Sequence, residues 1–426
     1  MNTDVVLTLG LLIVAYSLVS GLVRASPITP AMMFVVVGLL IGPHVLDIIN
    51  LQVNEHGFHT LAELALTLIL FLQATRIDLR KTFGRTKVRR LTTIGIPLAM
   101  AIGTGVALLV FPELSFWEAA ILGIIVVPTE VALIEPVIED RRVPGSIRNA
   151  LSLESGLGDG VVLGILLIAL ALASNETEGN LGHWLSFMSK GVTMSLAIGG
   201  VMGLVGGKLL DSGRKAGRVT EAWSELYMIA LAVLSFVVVE HVDGSGFVGA
   251  FGAGLVFAAV VDGIAERESG TAEAIGNGLE LVVFALFGAV VVWPAFEDVG
   301  VKVLLYAVLS LAVVRGVAVA IAMAGTGYSR ATKLYLGWFG PRGIATLLFA
   351  FLVLEEGVLG HIGLLSDVVF VTVTLSIFLH GITSKWGVDR YAAAIERLRK
   401  THPDAPELDA AAEEPVASAP AEEPVG

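Results

Sequence analysis

Apolar stretches of about 17–26 residues recur along the chain, separated by short connections that carry charge, glycine or proline. Such lengths suffice to cross a hydrocarbon core ~30 Å thick as α-helices. Windows near 5–23, 31–48, 61–77, 91–111, 116–138, 148–173, 185–207, 223–241, 246–261, 277–293, 303–324, 334–356 and 367–384 make thirteen predicted crossings. The first window follows Asp4 and lacks the basic leader and small-residue cleavage site of a secretory signal, so it is expected to stay as a membrane helix.

The connections alternate in Lys and Arg. Of 27 basic residues, 23 fall in every second connection, from Arg24 through the Arg76–Arg90 and Arg141–Arg148 groups to Lys385–Lys400. The opposite connections hold only Lys302. Basic loops stay cytoplasmic, which predicts an outside N-terminus and an inside C-terminus. Residues 1–390 then form a transmembrane domain and 391–426 a cytoplasmic tail. From about 401 the tail holds seven Asp or Glu, five Pro and no basic residue, and it is expected to be disordered.

Composition agrees with lipid as the main solvent: 55% of the 426 residues are apolar and 15% are charged, against about 25% charged in soluble domains. The absence of cysteine excludes thiolate metal sites, disulfides and a cysteine nucleophile. A net charge of −12 argues against a nucleic-acid partner. Gly244–Gly249 matches GxGxxG but sits inside an apolar span with no preceding strand, so helix packing is the expected role. Gly199, Gly203 and Gly207 form a double GxxxG that suits packing within one bundle and a dimer face equally. His380 reads as a hydrogen-bonded structural histidine. No nucleophile–base pair or cofactor motif appears, so neither an enzyme nor a cofactor is expected.

Ionisable residues inside membrane windows are costly and therefore informative. Pro128 interrupts the fifth window, with Thr129 and Glu130 directly after it, and frees carbonyls able to coordinate a cation. In the sixth window Ser155 and Asp159 stand one turn apart on one helix face, beside Glu154. Arg315 lies within the eleventh window, and Gly340-Pro341-Arg342-Gly343 breaks the twelfth. Windows five and twelve are seven apart, so their halves run in opposite directions. Paired interrupted helices in inverted halves point to a midplane binding site in a secondary transporter. Glu154 and Arg315 are expected to pair, Arg342 to neutralise helix ends, and Asp159 and Glu130 to serve the site.

Pro128-Thr-Glu-Val131, then Glu154-Ser-Gly-Leu-Gly-Asp-Gly160, a buried arginine and Gly340-Pro-Arg-Gly343 resemble the NhaP-type sodium/proton antiporters of the monovalent cation–proton antiporter superfamily. The resemblance covers residues 1–390. It implies an all-α fold with two crossed discontinuous helices, divided into a core bundle and a dimerisation bundle, in a homodimer within the cell (inner) membrane. It implies that Asp159 binds cation and proton in turn, with Ser155 and the Thr129 carbonyl as supporting ligands for Na+ and Glu130 beside them. Glu154 and Arg315 match the structural pair, with Arg342 and Gln73 supporting the crossing. Gly158 stands where relatives carry Asn, Glu130 where they carry Asp, and Val131 where Pro is common. Electrogenic relatives have two adjacent aspartates here, so the single Asp159 implies electroneutral exchange of Na+, or Li+, for H+. A K+/H+ exchanger shares these motifs, and an uncoupled sensor or channel-like relative is the alternative from another class.

Overall fold

The computed structural model describes residues 3–24, 26, 28–48, 56–75, 90–178, 189–261, 270–356 and 359–408, and among them there is no β-strand. The helices are α1 (Thr3–Arg24), α2 (Pro30–Ile41), α3 (His56–Thr75), α4 (Leu91–Val110), α5 (Phe116–Ile125) and the short α6 (Glu135–Glu139). Then follow α7 (Gly145–Glu178), α8 (Ser195–Lys215), α9 (Glu221–Glu240), α10 (Gly246–Val260) and α11 (Gly270–Phe287). The last are α12 (Val301–Ala322), α13 (Arg330–Trp338), α14 (Ile344–Glu356) and α15 (Ile362–Thr401).

Seven of the described helices are long and apolar enough to cross a membrane, and six further apolar helices are shorter. Leu18, Leu109 and Val301 are each more than 80% exposed. Side chains of this kind, spread over the outside of the helix bundle, suit hydrocarbon rather than water.

Contacts sort the helices into two groups. In one, α2, α3, α8, α9, α10 and α11 pack on one another, and in the other α4, α5, α7 and α12 to α15 do so. The groups meet where α3 lies against α7 and α14, and where α11 touches α14. The double GxxxG belongs to the first group's interior: a Cβ on Gly199 would meet the Gly249 carbonyl, and one on Gly203 the Ala253 carbonyl, both on α10. Small residues there let two backbones touch. Gly246 and Gly249 are likewise packed, against Phe236 and Val239.

Several boundaries differ from the hydropathy windows. The second window ends early as helix, at Ile41, because Gly42 sits against the Ala289 backbone and Pro43 follows. The last helix outruns its window at both ends and reaches Thr401, with Arg399 and Lys400 in its final turn, where basic side chains favour the helix C-terminus. Of the acidic tail, residues 402–408 are placed rather than free. Glu407 is buried, receiving the Ser329 backbone N–H at 3.0 Å and the Thr332 hydroxyl at 2.9 Å at the start of α13. The expectation of disorder for 409–426 concerns residues outside those described, as does most of the Arg76–Arg90 group.

Candidate functional site

Two breaks in helices create the centre of the second group. α5 stops at Ile125, and residues 126–130 are not helical before a 3-10 turn, Val131–Ile134. α13 stops at Trp338, and α14 begins only at Ile344. Both breaks coincide with the proline sequences and meet in space: the Glu130 backbone N–H donates to the Pro341 carbonyl at 2.8 Å.

Each break supplies the charge that the other's helix end requires. Arg342, 1% exposed, donates from Nη1 to the carbonyls of Val127 at 2.6 Å and Pro128 at 3.3 Å, just past the C-terminus of α5. Glu130, 4% exposed, turns its carboxylate to the backbone N–H of Ala132 in its own break and to those of Ile344 and Ala345 at the start of α14. Partial negative and positive helix ends thus receive a cation and an anion respectively. Gly343 is required because a Cβ there would strike the Glu130 side chain.

A short relay of polar groups holds the second break in place. The Arg342 backbone N–H donates to Ser376 Oγ at 2.6 Å. Ser376 Oγ lies 3.2 Å from His380 Nδ1, and His380 Nε2 is 2.9 Å from the Trp338 carbonyl. His380 Nδ1 also lies 2.9 Å from the Ser376 carbonyl, so both ring nitrogens face backbone carbonyls, in keeping with a structural histidine.

Glu154 and Arg315 form the expected pair, at 2.9 and 3.0 Å through both nitrogens and both oxygens. Arg315 also donates to the Leu336 carbonyl at 3.1 Å, near the end of α13. A π turn, Ser310–Val314, directly precedes it in α12. The guanidinium lies so close to Gly340 that any side chain there would overlap it. A small cavity beside the crossing is lined by Glu154, Arg315, Arg342 and Val127.

Asp159 differs from all of these. It is 0% exposed, and neither carboxylate oxygen has a hydrogen-bond partner of ordinary geometry. The Glu130 charge repels it, and the Gln73 side chain on α3 is the hydrogen-bonding group that faces it. One turn earlier, Ser155 Oγ donates to the Thr129 carbonyl at 2.5 Å, joining α7 to the first break. The structure therefore brings Asp159, Ser155, Thr129, Glu130 and Gln73 to one place, at the seam between the two helix groups. Orphaned buried carboxylates are rare and costly, and they mark a group awaiting a partner. Among the described residues no three Asp, Glu or His side chains converge tightly enough to hold a metal ion together.

The sequence reading passed over Glu280 on α11. It is 7% exposed, its Oε1 has no hydrogen-bond partner, and the charges of Glu130, Glu135 and Asp159 act on it. The available signal was a lone acid inside an apolar window, which intramembrane cost singles out.

The helices, the two breaks and the unpartnered carboxylate define a polytopic α-helical membrane protein with crossed discontinuous helices. A family described as "Sodium/hydrogen exchanger, transmembrane" matches residues 9–389, and the chain belongs to that family. It is 26% identical over 364 residues to the Na(+)/H(+) antiporter 2 of Zygosaccharomyces rouxii, covering 79% of this chain and 44% of the relative. It is 23% identical over 416 residues to the K(+)/H(+) antiporter NhaP of Alkalimonas amylolytica, covering 94% of this chain and 68% of that one. The chain thus spans under half the length of the yeast relative. In fold it is similar to the sodium proton antiporter MjNhaP1 from Methanocaldococcus jannaschii, with a TM-score of 0.71 at 20% identity, covering 88% of this chain and 98% of the other.

Proposed function

We propose that the protein exchanges a monovalent cation, Na+ or Li+, for H+ across the cell (inner) membrane by alternating access at Asp159. The observation that carries this reading is the burial of Asp159 with both oxygens unpartnered beside the crossing. Arg342 and Glu130 are taken up by the helix ends, and Arg315 is taken up by Glu154. Among the described residues of this centre, Asp159 is the carboxylate with neither oxygen partnered, while Glu130 keeps one unpartnered oxygen, Oε2, beside it. A proton and a cation neutralise it equally well and exclude each other. Either occupant lets the site pass the apolar seam, while the empty charged site resists it. Sodium prefers oxygen ligands, and Asp159, Ser155 and the Thr129 carbonyl are all hard donors.

One carboxylate trading one proton for one monovalent cation moves no net charge, so the exchange is electroneutral in this reading. The core group, with α5, α7 and α12 to α15, moves against the other group, through which two copies associate as a homodimer. The thirteen crossings, with the N-terminus outside and the C-terminus in the cytoplasm, belong to the same proposal and rest on the alternation of basic loops. Potassium in place of sodium is the second reading, favoured by the length over which the chain matches the K(+)/H(+) antiporter of Alkalimonas amylolytica.

The test is antiport in proteoliposomes, followed by a pH-sensitive dye, with sodium, lithium and potassium in turn. Activity with sodium or lithium that disappears in Asp159→Asn, in a variant that elutes and melts like the parent, is the expected result. Full antiport by that variant rules out the site.

A further inference from the structure

Glu280 is a buried acid in the wrong solvent, and no part of the crossing employs it. It stands on α11, in the helix group opposite the one that carries Asp159. Its stripe of α11 faces α3: one turn earlier, a Cβ on Gly276 would touch Leu72 at 3.4 Å. α11 also touches α14, whose first turn holds Glu130. The side chain is more than nine-tenths buried, and Oε1 is unpartnered. An acid in that state at a seam of helices is retained at a cost, and its use lies in meeting a positive charge.

Depth separates it from Asp159. α7 begins beside Arg141, Arg142 and Arg148, and α11 begins just after Arg267, so both helices start from the face of the basic loops. At 1.5 Å per residue, Asp159 lies ~21 Å along α7, and Glu280 lies ~15 Å along α11. Glu135, on α6 near that face, also acts on Glu280. The three carboxylates Glu130, Asp159 and Glu280 do not gather around one ion.

We propose that Glu280 is a relay carboxylate, which receives the transported cation between Asp159 and the basic-loop face of the membrane. The proposal rests on Asp159 being the exchange site. A fixed negative charge along a narrow, weakly polarisable path concentrates cations locally and speeds their arrival. Because Glu280 belongs to the opposite helix group, movement of the core carries Asp159 towards it in one state and away from it in the other. Cations arriving from the other face do not meet it.

Glu280→Gln in oriented vesicles tests this. The apparent KM for sodium presented at the basic-loop face should rise about tenfold, the low end of what a focused charge contributes. At the opposite face it should stay near the parent value, and Glu280→Asp should restore most of the loss. An unchanged KM, or an equal change at both faces, overturns the proposal. Parent protein that exchanges normally, with Asp159→Asn inactive, shows that such a failure belongs to the relay alone. The chain has no cysteine, so Glu280→Cys gives a single thiol in an otherwise unaltered protein and a second route if the Gln variant misfolds. The anionic, impermeant reagent MTSES, added at the basic-loop face, should restore sodium KM, and the cationic MTSET should worsen it. A thiol that reacts from neither face, or only from the opposite one, also overturns the relay.

Discussion

Glu154 and Arg315 meet fork to fork, with side chains 6% and 5% exposed, and they bind α7 to α12 at the level of the crossing. Two charges so deeply buried are tolerable only together. Removing one leaves the other uncompensated, at ~3–5 kcal/mol. Glu154→Ala and Arg315→Ala should each lower thermal stability strongly, and the double variant should lose less than their sum. Additive losses on melting would reject the pairing as the source of the effect. Arg315→Lys should rescue only in part, since lysine cannot reproduce the fork and also reach the Leu336 carbonyl.

Gly203 on α8 stands directly under the Ala253 carbonyl of α10. A backbone atom cannot swing aside as a side chain can. Gly203→Leu should therefore push the helices apart and cost about 1–3 kcal/mol through overpacking. Gly10, with open space around it, is the control. Gly10→Leu should leave the melting temperature almost unchanged in the same detergent.

Electroneutrality is testable through voltage. With the potential set by potassium and valinomycin to zero and then to about −100 mV, one uncompensated charge would gain ~2.3 kcal/mol. The sodium gradient that balances a fixed pH gradient should be the same at both settings. Gly158 offers the converse experiment. A Cβ there meets only Ile96 Cδ1 at 3.5 Å, an ordinary contact, so a side chain is admitted. Gly158→Asp should add a second carboxylate and bring a dependence on potential that the parent lacks.

Asp140 follows α6, outside the membrane windows. Arg142 donates to it at 2.8 Å from Nη2, and this hydrogen bond, ahead of burial, which acts the other way, holds the Asp140 carboxyl below the usual carboxylate range. Arg142 also reaches Asp389 on α15 at 2.9 Å. A carboxylate with a lowered folded pKa contributes stability above its unfolded pKa and loses it as pH falls through the folded value. Asp140→Asn should thus melt slightly earlier than the parent at pH 7. The difference should close on acidification below pH ~4, near the ordinary carboxylate value. A gap that persists in acid would mean that the pair contributes nothing through charge.

Much of the architecture was legible in the sequence because lipid imposes a blunt rule. Every backbone polar group must be satisfied within a segment, so apolar windows become helices, and prolines in their middle become breaks. Buried charges such as Asp159, Glu154, Arg315 and Arg342 announced themselves by their cost, and the breaks fell at Pro128 and Pro341 as read. Helix lengths were less legible. The end of α2 at Ile41 depends on the Ala289 backbone, far away in sequence, and the docking of Glu407 depends on the first turn of α13.

What the sequence determined by itself was the inventory: which segments form apolar helices, where two of them are interrupted, and which charges they carry. Hydropathy and proline chemistry act locally, so they can be read from the order of residues. Tertiary structure decided the assignments. It sent Arg342 to the end of α5 and Glu130 to the start of α14, resolved Gly199 and Gly203 as contacts within the bundle, and left Asp159 and Glu280 with unpartnered oxygens on opposite sides of one seam. Whether a buried charge is structural or free depends on what lies across from it, and only the packing of distant helices supplies that.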